Sequence, residues 1–516
     1  MTTVPAALFE PDKSRYNASA TDDILNVVPQ ADGYGPLPSL KPFVPAFEVL
    51  SSDGVTDVFG GGGDIILVVG PGGADLSGEV ALPGTRGGIF VRLTDGTTAL
   101  FVGTETGLYK FNSADYTWED VSGPSAPYSV GAEMRWSFAL FGTTVYAQNF
   151  ADPEQKFDLA TESAFSDNAT APICAYLASI GDWLLRGRLL SNEDAVQWCG
   201  LNDPTSNEAG IDFSDIQVFA EGSGVRGLIP VSGGVVVLMR DNTQALTLNY
   251  GSNYVFTRSV LNKYRGCIAP YSAVLIGQDD YIFYSQDGWF RGPAMTPIGA
   301  ERVDRWYQET VNFEARVAAV AGVDFRRKMY WVRFQMSDGS YRMLGYQWQL
   351  DRWTLSDADM ADMFGIEAQG VTIDQMDSFF PTIDDIDVPY DSSFWQGGSP
   401  DFAGMNSDGF LAPMNGAPMA ARVATNDLTP GGVGRAFVNG GHGITDAVNF
   451  TATHSTANYK GASFTTRAPV SPTSRGRFLS FRGDGHAHRF LVDIPEGEDW
   501  SIFSGIDVES KSSGKS

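Results

Sequence analysis

The residues of this chain that could do chemistry are four histidines, three cysteines and a few runs of glycine or carboxylate. His486 and His488 stand two apart, a spacing that on a strand sets both imidazoles on one face. With His442 and His454 they exhaust the histidines. A zinc site needs three or four convergent ligands and this pair supplies two, so no metal centre is expected. Cys174, Cys199 and Cys267 are odd in number and form no C-x-x-C. They give neither a disulfide framework nor a zinc ribbon, and are read as reduced thiols of the core.

Phosphate chemistry has no better support. The closing Gly514-Lys515-Ser516 imitates the end of a phosphate loop, but no helix follows to aim its backbone N–H groups. Gly60 to Gly63 precede a strand pattern and read as a turn. Asp374, Asp377, Asp384, Asp385, Asp387 and Asp391 lie in a stretch, Thr372 to Ser392, that has no Lys or Arg. They lack the order of a compact calcium loop and read as a solvated acidic loop. Paired carboxylates for glycoside cleavage are defined by their separation in space, which the sequence does not display. The box of sialidase-type propellers is approached once, at Ser113 in SADYTWEDV, without its glycine and without repetition. The chain is therefore expected to be no enzyme and to carry no cofactor.

The elements around these residues form a repeating pattern. Short apolar runs follow a glycine at Gly63, Gly103, Gly142, Gly181, Gly234, Gly277 and Gly322, at intervals of 39 to 53 residues. Four short strands with their turns consume that many residues, so the period predicts the blades of a β-propeller. Weaker echoes at Gly370 and Gly409 continue it. Runs such as Val235 to Arg240 are nearly all apolar, as sheets covered on both faces require. The expected fold is all-β: a propeller of about seven or eight blades over 37–430, an extended N-terminal arm over 1–36, and a small C-terminal β-domain and tail over 431–516. The boundary is placed in Asn426 to Gly434, NDLTPGGVG. An irregular double sandwich is the competing architecture.

With 516 residues, 58 glycines, 27 prolines and 43% hydrophobic residues, there is material for a large core interrupted by frequent turns. Lys and Arg number 35 against 62 Asp and Glu, a formal charge of -27, which argues against a protein built to grip nucleic acid or an anionic membrane. No run approaches the roughly 18 apolar residues of a membrane span, and the N-terminal MTTVPAALFEPDKSRY lacks the pattern of an export signal. Synthesis and assembly in a reducing cytoplasm are expected, with no membrane insertion.

One stretch resists a reading as plain repeat. Asp287-Gly288-Trp289-Phe290, followed by Pro297-Ile298-Gly299-Ala300-Glu301-Arg302-Val303-Asp304-Arg305, resembles the signature of tail nozzle proteins of short-tailed phages, the family of the packaged-DNA stabilisation or tail accessory factors. Tyr330-Trp331-Val332 with Tyr346-Gln347-Trp348-Gln349-Leu350-Asp351-Arg352-Trp353 resembles that family's hairpin. Arg477-Phe478, His488-Arg489-Phe490, Trp500 and Gly505-Ile506-Asp507-Val508 are similar to its C-terminal strands, and Pro11-Asp12, Asn26-Val27-Val28-Pro29 and Gly33-Tyr34 to its leading arm.

The resemblance implies a structural virion protein of a phage tail, made in the bacterial cytoplasm. It implies a homo-oligomeric ring, a hexamer on the family's pattern, joined to adaptor or portal-side proteins, with tail fibres or spikes nearby. Double-stranded DNA would pass through it without tight binding. On this reading Glu301, Arg302, Asp304 and Arg305 make a salt-bridged link, and Asp287-Gly288 a hairpin turn. The rival is a glycan-binding or glycan-cleaving propeller, in which Trp289, Trp306, Trp331, Trp348 and Trp353 would stack on sugars.

Overall fold

The computed structural model describes residues 2–13, 20–42, 49–50, 67–68, 81–113, 117–220, 223–249, 251, 254–367, 400–429, 434–459, 461–474 and 476–514. Six four-stranded antiparallel sheets and one three-stranded sheet follow one another along the chain. Their first strands are Gly88–Arg92, Ser137–Phe141, Cys174–Ile180, Val225–Val231, Val274–Leu275, Val320–Asp324 and Asp362–Glu367. Each lies beside the next, and the seventh returns to the first. This is a closed seven-bladed propeller, within the expected count.

The second strand of a blade is covered on both faces, and its sequence shows why. Gly234–Met239, GVVVLM, and Trp183–Leu189, WLLRGRL, are buried at every position. Each pair of neighbouring blades encloses one apolar cluster. Trp183, Trp198 and Phe256 fill the space between blades three and four, and Phe101, Phe157 and Phe165 that between one and two. The ring closes on Phe364, Met405 and Leu411 of blade seven packed with Val102 and Trp118 of blade one. Asp362 fastens the same seam, accepting the Gly87 N–H at 2.7 Å and pairing with Arg135 at 2.6 Å.

The glycines that mark the period occupy different positions in their blades. Gly142 and Gly181 take φ of +62° and +53° in the turn between first and second strands, where a left-handed residue is needed. In blade four Gly233, at +77°, does this and Gly234 opens the strand. Gly322 lies inside a first strand. The 53-residue interval between Gly181 and Gly234 arises from the long connection between Asn192–Trp198 and Asp215–Val218. Gly409 turns into the last strand of blade seven, Leu411–Pro413. Gly63, Gly370 and the acidic stretch from Thr372 to Ser392 lie outside the described residues.

The residues read as an extended arm are strands of the C-terminal unit. Thr2–Pro5 pairs with Phe503–Gly514, Ile24–Leu25 with Ala421–Ala424, and Val27–Gln30 with Gly33–Pro36 in the same sheet as Phe503–Gly514. One sheet has seven strands and the other five, and Val4, Ile24, Tyr34, Phe490 and Ile506 share one core with blades five and six. Ala421–Ala424, ahead of residue 431, already belongs to this unit. Two short helices, Asp304–Thr310 and Phe313–Val317, link blade five to blade six. Among the described residues no helix is long and apolar enough to cross a membrane.

Candidate functional site

The stretch from Asp287 to Arg305 builds a joint between blades five and six. Tyr281–Ser285 and Gly288–Gly292 form a hairpin in register Ser285↔Gly288, so Gln286 and Asp287 make the turn and Gly288, at φ +130°, opens the strand. Asp287 is exposed there. Thr296–Pro297 pairs back on Phe290 and Arg291. The Gly299 carbonyl then accepts from Arg302 N at 3.0 Å, Val303 N at 3.0 Å and Asp304 N at 3.2 Å, which wraps the chain tightly into the helix Asp304–Thr310.

That wrap buries the Asp304 carboxylate. Oδ1 accepts the Trp289 N–H at 3.2 Å. A Cβ added at Gly288 or Gly299 would lie 2.2 or 2.0 Å from the carboxylate, so both positions must be glycine for the group to fit. Burial pushes the Asp304 carboxyl up to about 7, the Trp289 N–H works in the opposite direction, and Asp12 adds to the rise. A carboxyl of that pKa is in the range suited to acid–base work, and here it is largely buried, with Gly288 and Gly299 packed against it. Its role is to tie the Trp289 strand to the helix.

Asp12, from the N-terminal segment, caps the same helix: Oδ2 accepts Arg305 N at 2.8 Å and Oδ1 accepts Trp306 N at 2.6 Å. Arg302 grips both oxygens of Asp351 at 2.6 and 2.7 Å and lies 3.7 Å from Glu10. The Tyr346 hydroxyl donates to Asp351 at 2.8 Å. Partial burial alone would raise the Asp351 carboxyl, yet the Arg302 fork and the Tyr346 hydroxyl hold it below the ordinary range. Trp353 Nε1 donates to the Ile298 carbonyl at 3.0 Å, and its ring lies 4.7 Å from Tyr346 and 6.2 Å from Trp289. Arg352 donates to the carbonyls of Gln30 and Ala31, and Thr354 to that of Val27.

Gly288, Trp289, Gly299, Arg302, Asp304, Asp351, Arg352 and Trp353 thus come together. The expected link within Glu301, Arg302, Asp304 and Arg305 is different in detail. Arg302 bridges to Asp351 and Glu10, Asp304 is held by the Trp289 N–H, Arg305 meets Asp12 and Glu309, and Glu301 is exposed at φ +60°. Trp348 lies at the rim, partly buried against the same core, its carbonyl accepting from Arg291 at 3.3 Å and its ring edge-on to Phe325 at 6.4 Å. Glu10 had no signal of its own in the sequence; Tyr346 did, at the head of the Tyr346 to Trp353 motif, and Asp12 in the Pro11-Asp12 pair.

His488 and Trp500 are buried in the C-terminal unit. His488 does not act with His486, which stands before the strand Ala487–Ile494. Its Nδ1 lies 2.9 Å from Nε2 of His454, the two rings stacked at 5.2 Å. Burial drives the His454 imidazole down to about 3, helped by His488, so the pair is neutral at ordinary pH. Among the described residues no group of three His, Cys, Asp or Glu side chains could hold a metal. The three cysteines are free and buried. Of the five tryptophans a sugar-stacking face would use, Trp289, Trp331 and Trp353 are fully buried.

No family model and no curated protein matches the chain. Solved structures with likeness to it include Hsv2 of Kluyveromyces lactis, 9% identical over 53% of this chain and 85% of that one, with a TM-score of 0.31. The N-terminal domain of Nup159 is 10% identical over 75% and 97%, with a TM-score of 0.36. An exo-β-1,3-galactanase of Phanerochaete chrysosporium is 9% identical over 92% and 100%, with a TM-score of 0.28.

Proposed function

We propose that this chain is the structural subunit of the tail nozzle of a short-tailed bacteriophage. Copies assemble into a ring, six on the family's pattern, that retains the packaged genome and conducts it at ejection. The ring meets adaptor or portal-side proteins above and has fibres or spikes nearby. It is made and assembled in the bacterial cytoplasm and resides in the virion.

One observation carries this reading. Segments that resemble the nozzle family, and that are far apart in sequence, converge on one joint. Gly288 and Gly299 enclose Asp304, Arg302 holds Asp351, Trp353 reaches Ile298, and Asp12 and Val27 of the N-terminal segment are tied to the same place. A motif set that locks blades and terminus together is what a structural subunit needs, whereas catalysis requires an accessible constellation.

Electron microscopy of the purified protein, alone and with its adaptor, tests the proposal. Rings with a central bore are expected. A particle that stays single under both conditions, or that releases reducing sugar from host polysaccharide, overturns it.

A further inference from the structure

The outermost strand of a propeller blade has a free edge, and five blades of this molecule protect theirs. Blades two and five end on two-residue strands, Ser166–Asp167 and Thr296–Pro297, the second with a proline. Blade one ends on exposed Glu119 and Asp120. The last strand of blade six is covered by the N-terminal segment, with Thr354 donating to Val27 O at 2.6 Å. That of blade seven is buried. Short length, proline, charge and cover are the known ways of keeping an edge from pairing with another chain.

Blades three and four protect theirs less: each outer strand carries a single charged residue, Asp215 and Arg258, and that of blade four a bulge at Leu261, while the remaining exposed positions are largely apolar. Their outer strands, Asp215–Val218 and Phe256–Asn262, end their sheets and present Ile216, Val218, Val260 and Leu261 to solvent. Val260 pairs with Gln244 and Thr243 with Asn262, so Leu261 is bulged between them, and both Val260 and Leu261 reach solvent beside the open edge. Tyr254 and Tyr264, 73% and 87% exposed, flank it. Ten of the fifteen well-exposed large apolar side chains among the described residues fall between residues 190 and 264. The two edges are continuous, because the Arg258 guanidinium lies 5.3 Å over the Phe219 ring that follows the outer strand of blade three. An apolar concentration of this kind marks an interaction surface.

Charge identifies the occupant. From Phe256 to Arg265 the chain carries Arg258, Lys263 and Arg265 and no acid, on a molecule of formal charge -27. A cationic, aromatic edge fits an acidic surface, and a second copy of this chain supplies one. Its exposed acidic edge, Glu119 and Asp120, is three blades away around the ring of seven. From these observations we infer that the outer edge of blade four docks on the acidic blade-one side of a neighbouring copy. The contact is head-to-tail, the kind of interface whose repetition builds a ring when its rotation closes. The inference rests on the ring-forming reading above and assigns the face that would make the ring.

Two exposed substitutions test it, Lys263→Glu and Tyr264→Ala, each checked for an unchanged melting temperature. Light scattering across a concentration series should show assembly of the unaltered protein. Each variant should need about tenfold more protein to assemble to the same extent, and added salt should weaken the unaltered contact. Assembly that is indifferent to both substitutions overturns the interface and leaves the ring standing. An unaltered protein that remains a single copy at every concentration, with or without the adaptor, overturns both.

Discussion

Gly299 faces the carboxylate of Asp304 so closely that a Cβ would stand 2.0 Å from Oδ1. The carboxyl has a short, stiff stem and is held by the Trp289 N–H, so it cannot move aside as the end of a lysine would. Gly299→Ala should lower stability by about 1–3 kcal/mol, the usual range for overpacking a tight site. Gly365→Ala is the control, since nothing lies within 4 Å of a Cβ there. Denaturant midpoints measure both. Equal midpoints for the two variants would show that the cradle yields.

The same carboxyl makes stability depend on pH. Burial keeps Asp304 protonated up to about 7, against an ordinary value of 3.8. Below the ordinary value, folded and unfolded chains both hold the proton and nothing is lost. As pH rises through the interval from 3.8 to about 7, the unfolded chain releases the proton first, so stability falls, and the loss is complete above about 7. Asp304→Asn keeps an oxygen for the Trp289 N–H and cannot ionise. It should match the unaltered protein at about pH 4 and exceed it by up to roughly 4 kcal/mol at about pH 8. Parallel stability profiles across that range would argue against a buried, ionisable Asp304.

What the sequence displays and what it hides divide along the range of the interaction. The blade period is local: a glycine turn such as Gly142 or Gly181 and an apolar strand such as Gly234–Met239 lie within one repeat, and their pattern is readable. Register across the whole chain is not. Thr2 faces Val508, and nothing near Thr2 encodes that partner, so strands of the C-terminal unit read as a loose arm. The joint shows both cases. Arg302 and Asp351 each belong to a recognisable motif, but only folding brings the guanidinium onto the carboxylate. Arg186 and Glu154 are the extreme case, fully buried and 2.6 Å apart between blades two and three. In sequence they are two ordinary charges, because a buried ion is legible only through its partner.

The N-terminal segment, read as strands, has a consequence for truncation. Val4, Phe9, Ile24, Val27 and Tyr34 are all buried in the core shared by the C-terminal unit and blades five and six. Removal of residues 1–36 takes those side chains away together and leaves Phe503–Gly514 and Ala421–Ala424 with unpaired edges. Loss of several buried large apolar side chains at about 2–5 kcal/mol each exceeds the stability of most domains. The truncated chain should be protease-sensitive beyond residue 420 and prone to aggregate. A truncated protein that melts like the full chain would show that these strands are dispensable.

Under the proposed nozzle function, passage of DNA through the ring would call for weak contact with the duplex. A basic bore would hold phosphates by releasing counterions, and many such contacts per ring would brake a genome that must leave quickly. The chain carries -27, and many of its arginines are already matched to carboxylates, among them Arg135, Arg186, Arg302, Arg327 and Arg489. The exposed cationic edge of blade four is assigned to a neighbouring copy and would be covered in the ring. An acidic wall repels the duplex over a distance near the Debye length, about 8 Å at physiological salt, and centres it without a tight complex. Part of the acidic excess is therefore expected to line the channel. A mobility-shift titration of duplex DNA at low ionic strength should show no retained complex, and a potential map of the assembled ring should show a neutral or negative bore. Tight binding that disappears as salt is added, or a positive bore, would refute the prediction.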